Sequence, residues 1–472
     1  MISIGPHKKV FLAALTLASS LAHLTAQTTA PAKESPPPVA TLTTFRPTAA
    51  DVLTVPEGVA GDFDVAKQPP VIDFGILPGQ WEGAKLWSNW GDSIYASDGR
   101  FYCSIGDHDG PHGHSYVYQV DPAEKTMRLV VDYTKVVGVP PGQYAPGKIH
   151  CSLMEAGDGW LYFLGYQGSG GTTKEFGYQG DWMLRYHLAS GKAENLGAAV
   201  PDNGAPCSIL HAPSKTVYGL TSPGQTMPPP RRSQFFAYDL EKKKLLFLGG
   251  PRPNMARTLL LAKDGRVYYS HSPEPPEEAQ TQQNKTKKAK RRKAEPVEGV
   301  FVRYDPKTNT VAPTAVRVPG DGILRAASRP DAKGVAYAIS KDGVVFAFDT
   351  NTEKITPITS AFVAGPPYTT SMRLDPTDRY LYYIPSAHGG SREHGTAVIQ
   401  LDVKTGRRKV LAFLNDYIRK QSSYNLGGTF GIALSKDGDT LFVCFNGGLL
   451  SQKKNDFGLC SAMVLHIPQG ER

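Results

Sequence analysis

The sequence predicts an all-β protein, a seven-bladed β-propeller of four-stranded antiparallel blades whose ring is closed by an N-terminal strand. Three observations predict it. A short apolar hairpin recurs seven times, a second apolar run follows each copy, and 48 Gly and 38 Pro in 472 residues supply many turns.

The hairpin copies begin at Asp92, Lys148, Cys207, Arg257, Arg325, Met372 and Phe430, and each closes on a Tyr or Phe. Asp-Gly turns four of them, at 98–99, 158–159, 264–265 and 437–438. That dipeptide between apolar runs is a strong hairpin signal. The second run is a third strand ending in Asp and a polar turn, as in Val117-Tyr-Gln-Val-Asp121 and Phe236-Ala-Tyr-Asp239; the second and seventh copies lack the Asp. Residues 245–249 and 410–414 read as fourth strands. The closing aromatics recur about every 45 to 70 residues. Sandwiches do not repeat a hairpin so regularly, and solenoid repeats are shorter. The seventh unit runs out of chain after its third strand, so a segment near 71–75 is expected to supply the outer strand and remove an open edge.

The remaining segments read in order. Residues 1–26 look like an export signal, with Lys8 and Lys9, an apolar stretch over 10–24 and small residues at Thr25-Ala26. Residues 27–60 are Pro- and Thr-rich and read as a partly disordered linker. Residues 61–472 form the propeller, interrupted at about 273–296 by an acidic and then basic low-complexity insertion. Seven of the Lys and Arg behind the +9 net charge lie in its basic run at 284–293, which reads as solvated chain and not as a nucleic-acid site. No other run is long and apolar enough for a membrane span. A secreted or periplasmic monomer is therefore expected. Five cysteines show no haem or zinc spacing. Cys444 and Cys460 are candidates for a disulfide across adjacent strands, while Cys151 and Cys207 read as small buried residues.

Propeller geometry converts sequence position into location. Hairpin starts and the loops after the second strands converge on one mouth. Twelve histidines include His7 and His23 in the signal; of the other ten, His108, His112, His114, His150, His271, His388 and His394 map to this mouth. His187, His211 and His466 fall on blade strands. Arg257, Arg325 and Arg373 start three hairpins, Trp90 precedes the first, and Tyr116, Tyr144 and Tyr166 are candidate pocket aromatics. Arg forks match carboxylate or sulfate, and His exchanges protons near neutral pH. This inventory suits an acidic polysaccharide. Glycoside hydrolysis needs two flanking carboxylates, and Asp92, Asp107, Asp109 and Glu393 are outnumbered by His and Arg. β-Elimination at a uronic acid needs a cation on the carboxylate and a His or Tyr base, which the mouth supplies.

On its seven repeats (residues 90–467) and its His/Arg mouth, the chain resembles the secreted seven-bladed propeller polysaccharide lyases, the group of oligogalacturonate, ulvan and rhamnose–glucuronate lyases. The resemblance implies elimination at a uronate. His108, His150 and Tyr166 would be catalytic, and Trp90, Arg257, Arg325, Arg373, His388 and His394 would bind substrate. It also implies a divalent cation, Ca or Mn, with His108, His150, His271 and His388 as candidate ligands. The alternatives are a non-catalytic carbohydrate- or protein-binding propeller and a propeller glycoside hydrolase.

Overall fold

The structure is a computed structural model and describes residues 38–81, 86–168, 170–228, 231–254, 256–271, 299–452 and 456–472. The expected export signal, the first part of the linker and the insertion at 273–296 lie outside these residues.

Seven small antiparallel sheets follow one another along the chain as the blades of a propeller. From the inner strand outward, blade 1 contains Ile94–Tyr95, Phe101–Gly106, Ser115–Asp121 and Thr126–Asp132. Blade 2 contains Lys148–Ile149 with Met154–Glu155, then Trp160–Tyr166, Trp182–His187 and Ala193–Ala198. Blades 3 to 6 repeat the order with inner strands Asn203–His211, Leu260–Leu261, Leu324–Ala327 and Met372–Leu374. Blade 7 contains Tyr424–Leu434, Thr440–Leu449 and Ser461–His466, and the outer strand is Val71–Ile76, antiparallel to Ser461–His466. The expected closing strand is thus present, and Phe101 of blade 1 stacks on Phe442 of blade 7 at 5.1 Å across the joint.

The turn chemistry explains the repeat. Each Asp-Gly places its glycine in the left-handed region, for example Gly159 at φ 79°. The Asp158 carboxylate accepts the Trp160 N–H at 3.1 Å and the Tyr162 hydroxyl at 2.8 Å. Asp98 holds Tyr102 in the same way. The Asp ending the third strands caps the next turn: Asp239 accepts the N–H groups of Glu241 and Lys242. Recurrent Asp and Tyr are therefore turn and packing residues. Ile149, Leu153, Leu161 and Phe163 pack with Tyr102 and Val117, filling the space between blades 1 and 2.

Two expectations are corrected. The described part of the linker, residues 38–60, is built into the ring: Val39–Thr41 pairs with the outer strand of blade 1 and Thr43–Phe45 with Val71–Ile76. Leu42 and Val52 are buried; their few apolar side chains were masked by the surrounding Pro and Thr. All five cysteines are buried free thiols. Cys444 faces Ala462 in the ladder, two positions from Cys460, and its thiol interacts with Cys103 of blade 1. Cys151 and Cys207 are buried as expected.

Candidate functional site

The mouth is organised by Trp90, in the link that enters blade 1. Isolated bridges Trp87–Gly458 and Ser88–Gly106 lay this link across blades 7 and 1. Buried Asn89 then locks it. Its N–H donates to Asn446 Oδ1 at 2.6 Å, its amide donates to the Gly91 and Ser104 carbonyls, and its Oδ1 accepts the Phe430 N–H. Gly91 has to be glycine because a Cβ would lie 2.3 Å from the Cys151 carbonyl oxygen. Trp90 is thereby fixed at the centre, buried to 8% exposure, with no hydrogen-bond partner for its indole N–H among the described residues.

Side chains from blades 1, 2, 6 and 7 meet this ring. His108 lies 5.4 Å from it, His388 5.5 Å, Phe430 4.9 Å, and His150 and Phe457 stack on it at 6.1 and 5.8 Å. Tyr166 packs 4.8 Å from His150, and Tyr368 5.4 Å from His388. Lys148 Nζ stands 4.9 Å from the Trp90 ring centre. The Arg257 guanidinium lies 4.4 Å over Phe430, and that of buried Arg325 lies 5.2 Å from Tyr368. His108 has a φ of 64°, a left-handed conformation rare outside Gly and Asn that costs about 1–3 kcal/mol and clusters at functional sites.

A bulge presents His150. Ile149 pairs with Gly165 and Met154 with Tyr162, so five steps on the inner strand face three on its partner. The two extra residues break the ladder and turn His150 out of it. Its Nδ1–H donates to the Pro206 carbonyl at 2.5 Å, and its Nε2 accepts from Arg257 Nη1. Burial, and then the Arg257 charge, hold its pKa well below the usual 6.5, so it is neutral. Arg257 Nη2 donates to the Trp90 carbonyl at 2.6 Å. Arg257 is half-buried and has no carboxylate partner among the described residues; burial lowers it to about 10. Desolvation against its aromatic neighbours, and then the charges of Arg257, Lys148 and Arg325, lower His388.

Other expected site residues lie elsewhere. Arg373 is bound to Asp92 at 2.8 Å and to the Ser93 carbonyl at 2.7 Å, and it lines the far end of the axial channel. His394 is fully buried; its Nδ1 accepts the Ala397 N–H, and burial lowers it to about 4. It cannot reach substrate. His271 sits at the outer rim between blades 3 and 4. Tyr116 and Tyr144 are buried, the first stacked on Trp87. His114 pairs with Asp107 at 2.9 Å, which raises its pKa. The candidate metal ligands do not gather: among the described residues no three His, Cys, Asp or Glu are grouped to hold a cation. Trp90 stands among His108, His150 and His388, and His271 is remote.

Sequence reasoning missed Lys148, Tyr368, Phe457 and Asp181. The first three occupy the same hairpin starts, links and loops that pointed to Trp90 and His108. Asp181 is buried, and it crowds the same side of Gly204 as the Tyr166 ring: a Cβ there would lie 2.5 Å from Asp181 Oδ2 and 3.1 Å from Tyr166. It accepts the Tyr144 hydroxyl at 2.5 Å, and burial raises it to about 7.

Trp90, His150, Arg257 and Phe430 narrow the axial channel to a space of about 20 Å³. Below them a cavity of about 600 Å³ opens at the opposite face, lined by Ile94, Met154, Leu210 and Leu374 with Asp92 and Arg373 at its inner end. It is the larger space, but Asp92 and Arg373 at its inner end are mutually satisfied, Glu155 is bonded by Ser97 and Arg329 by Asp378. The histidines grouped around Trp90 are at the mouth.

No protein-family model matches the chain, and no curated protein matches it. Among solved structures it is similar to the extracellular domain of a hybrid two-component system from B. thetaiotaomicron, with 12% identity and a TM-score of 0.47 over 82% of this chain. This chain spans only 39% of that structure's length. It is also similar to a chain of a mitotic checkpoint complex, with 9% identity and a TM-score of 0.48 over 88% of this chain and 97% of the other. The propeller assignment rests on the sheet pairing itself.

Proposed function

We propose that the mouth binds an acidic polysaccharide and cleaves it by β-elimination at a uronic acid, as an exported, monomeric polysaccharide lyase. One observation carries this reading. Arg257 is a half-buried guanidinium without a carboxylate partner among the described residues. A buried cation is costly until an anion meets it, and a uronate carboxylate supplies the charge and the planar pair of acceptors that Arg matches. The unpartnered Trp90 indole N–H and the surrounding rings favour a sugar with hydroxyl acceptors and an apolar face.

The chemistry follows from the protonation states. Neutralising the carboxylate acidifies the C5 proton. His388, kept neutral by desolvation and nearby cations, accepts that proton. The C5–H electron pair forms the C4–C5 double bond as the C4–O bond breaks, and the leaving oxygen takes a proton from His108 or Tyr166. His150 acts differently. Both its ring nitrogens are engaged, so it positions Arg257.

Those same engaged nitrogens favour a second reading, a non-catalytic glycan-binding propeller. The test is a panel of uronate-containing polysaccharides, with and without calcium or manganese, followed at the ultraviolet band of an unsaturated uronate. A rise with one glycan is expected. Binding without any rise would leave the second reading standing.

A further inference from the structure

We propose that the cavity at the face opposite the mouth is a second ligand site, which takes a small neutral aromatic molecule carrying a hydroxyl group. The site is independent of the reading of the mouth. The cavity measures about 600 Å³, within the range of small-ligand pockets, about 300–1,000 Å³. All seven blades line it. It is blind: Asp92, Ser152, Thr258 and Ala327 line both its inner end and the space of about 20 Å³ that narrows the channel. A ligand therefore enters from the opposite face, with one end at these four residues and its body between the walls.

The inner strands make the walls apolar. Ile94, Ile209, Leu210, Leu261 and Leu434 are half-buried, and each packs one flank against the core between blades. Their other flanks face the cavity. A ligand that covers these aliphatic surfaces removes them from water. Met154 and Met372 complete the wall, and thioether sulfur makes favourable contacts with aromatic rings.

The polar groups select a neutral ligand. Asp92 and Arg373 are paired at 2.8 Å. Glu155 accepts the Ser97 N–H at 2.8 Å, and Arg329 meets Asp378 at 2.7 Å. Lys436 is exposed at the rim, where water serves it. A charged ligand would be desolvated against aliphatic walls, with the ions at the inner end already paired. The hydroxyl groups differ. That of Ser152 has no hydrogen-bond partner among the described residues. That of Thr258 gives its proton to the Leu259 carbonyl at 3.3 Å and keeps its lone pairs. Both stand at the inner end, so Ser152 can donate to a ligand hydroxyl that enters first and Thr258 can accept from it.

Titration calorimetry on the full chain at pH 7 tests this with β-naphthol and, as its charged counterpart, β-naphthoate. β-Naphthol should bind, and β-naphthoate should bind at least about a hundredfold more weakly, because its carboxylate has to be buried unpaired. Leu210→Trp and Leu434→Trp place an indole in the cavity and should each weaken β-naphthol about tenfold or more. Ser152→Ala removes one hydrogen bond without adding bulk and should weaken it about fivefold, which keeps the test decisive if a tryptophan variant fails to fold. Tyr368→Ala alters the aromatic cluster at the mouth and should leave β-naphthol binding unchanged. Loss in Tyr368→Ala with unchanged binding in the three cavity variants would place the naphthol at the mouth and overturn the cavity site. Equal affinities for naphthol and naphthoate, or a Kd for naphthol above about 1 mM, would overturn it as well.

Discussion

Replacing Arg257 with Met separates a site built for a ligand from one built for stability. Burial lowers this guanidinium from 12.5 to about 10, which corresponds to about 3 kcal/mol against the charged form. The substitution removes that penalty. It also takes a donor from the Trp90 carbonyl, now bonded at 2.6 Å, and from His150 Nε2, and each buried acceptor left without a partner costs about 1–3 kcal/mol. The effects oppose each other, so urea unfolding of the free variant at pH 7 should stay within about 3 kcal/mol of the parent. Ligand binding has no such compensation. Truncating one member of a buried charge pair costs about 2–5 kcal/mol, which weakens a uronate ligand by about 30- to several-thousand-fold. The assay is paired: urea melts without ligand and calorimetry with a uronate oligosaccharide. A destabilisation above about 4 kcal/mol would show that the cation is already satisfied in the free protein. Unchanged affinity would refute its role in recognising an anion.

Two further predictions concern the scaffold. His394 is held at about 4, below its unfolded value of about 6.5, so between these values the unfolded chain binds a proton that the native one does not. Stability from this residue is complete above pH 6.5 and is lost as pH falls toward 4, by about 3 kcal/mol in total. His394→Asn keeps an acceptor for the Ala397 N–H and should flatten that acid limb in pH-dependent urea melts; an unchanged slope would assign it to other groups. Asp73 is fully buried in the closing strand and bonds His466 at 2.8 Å, Thr44 at 2.5 Å and Lys125 at 3.3 Å. Asp73→Ala should lower stability by about 1–3 kcal/mol, because Thr44, Lys125 and His466 lose a charged acceptor while the two cations are partly exposed to water. Equilibrium unfolding with a loss under about 1 kcal/mol would mean that the backbone ladder alone closes the ring.

The fold was legible because its signals are local and repeated. Asp-Gly turns and capping Asp residues act within a few positions, as Asp158 does toward Trp160 and Tyr162. Even the closing strand could be inferred, since an unpaired outer edge on blade 7 had to be filled. The order of residues 38–60 was not legible, because Leu42 and Val52 lie in short apolar pieces broken by Thr, Pro and Asp, and only packing against a formed blade buries them. The site was legible as a location but less so as a set of roles. Loop position drew seven histidines to one face, yet it could not show that His394 is interior, that His114 is paired with Asp107, or that His271 sits at the outer rim. Burial and pairing arise from contacts distant in sequence.

The arginines make the point sharpest. Arg257 and Arg373 stand near the starts of their hairpins, and nothing in their local sequence distinguishes their roles. Asp92 does so in three dimensions. Its Oδ1 accepts the Ser371 hydroxyl at 2.6 Å and the Ile432 N–H at 3.3 Å, which draws it toward blades 6 and 7. Its other oxygen meets Arg373 at 2.8 Å. Arg373 is consequently a structural cation, joined to blade 1 through both Asp92 and the Ser93 carbonyl. Arg257 is turned instead toward the Trp90 carbonyl and His150, where neither partner carries a negative charge. Asp92 is thus committed to one arginine, while the other meets no carboxylate among the described residues. A scaffold selected only for stability would pair or remove that charge. Its retention beside a neutral His388 and an unpartnered indole N–H is the physical reason to expect an anion there.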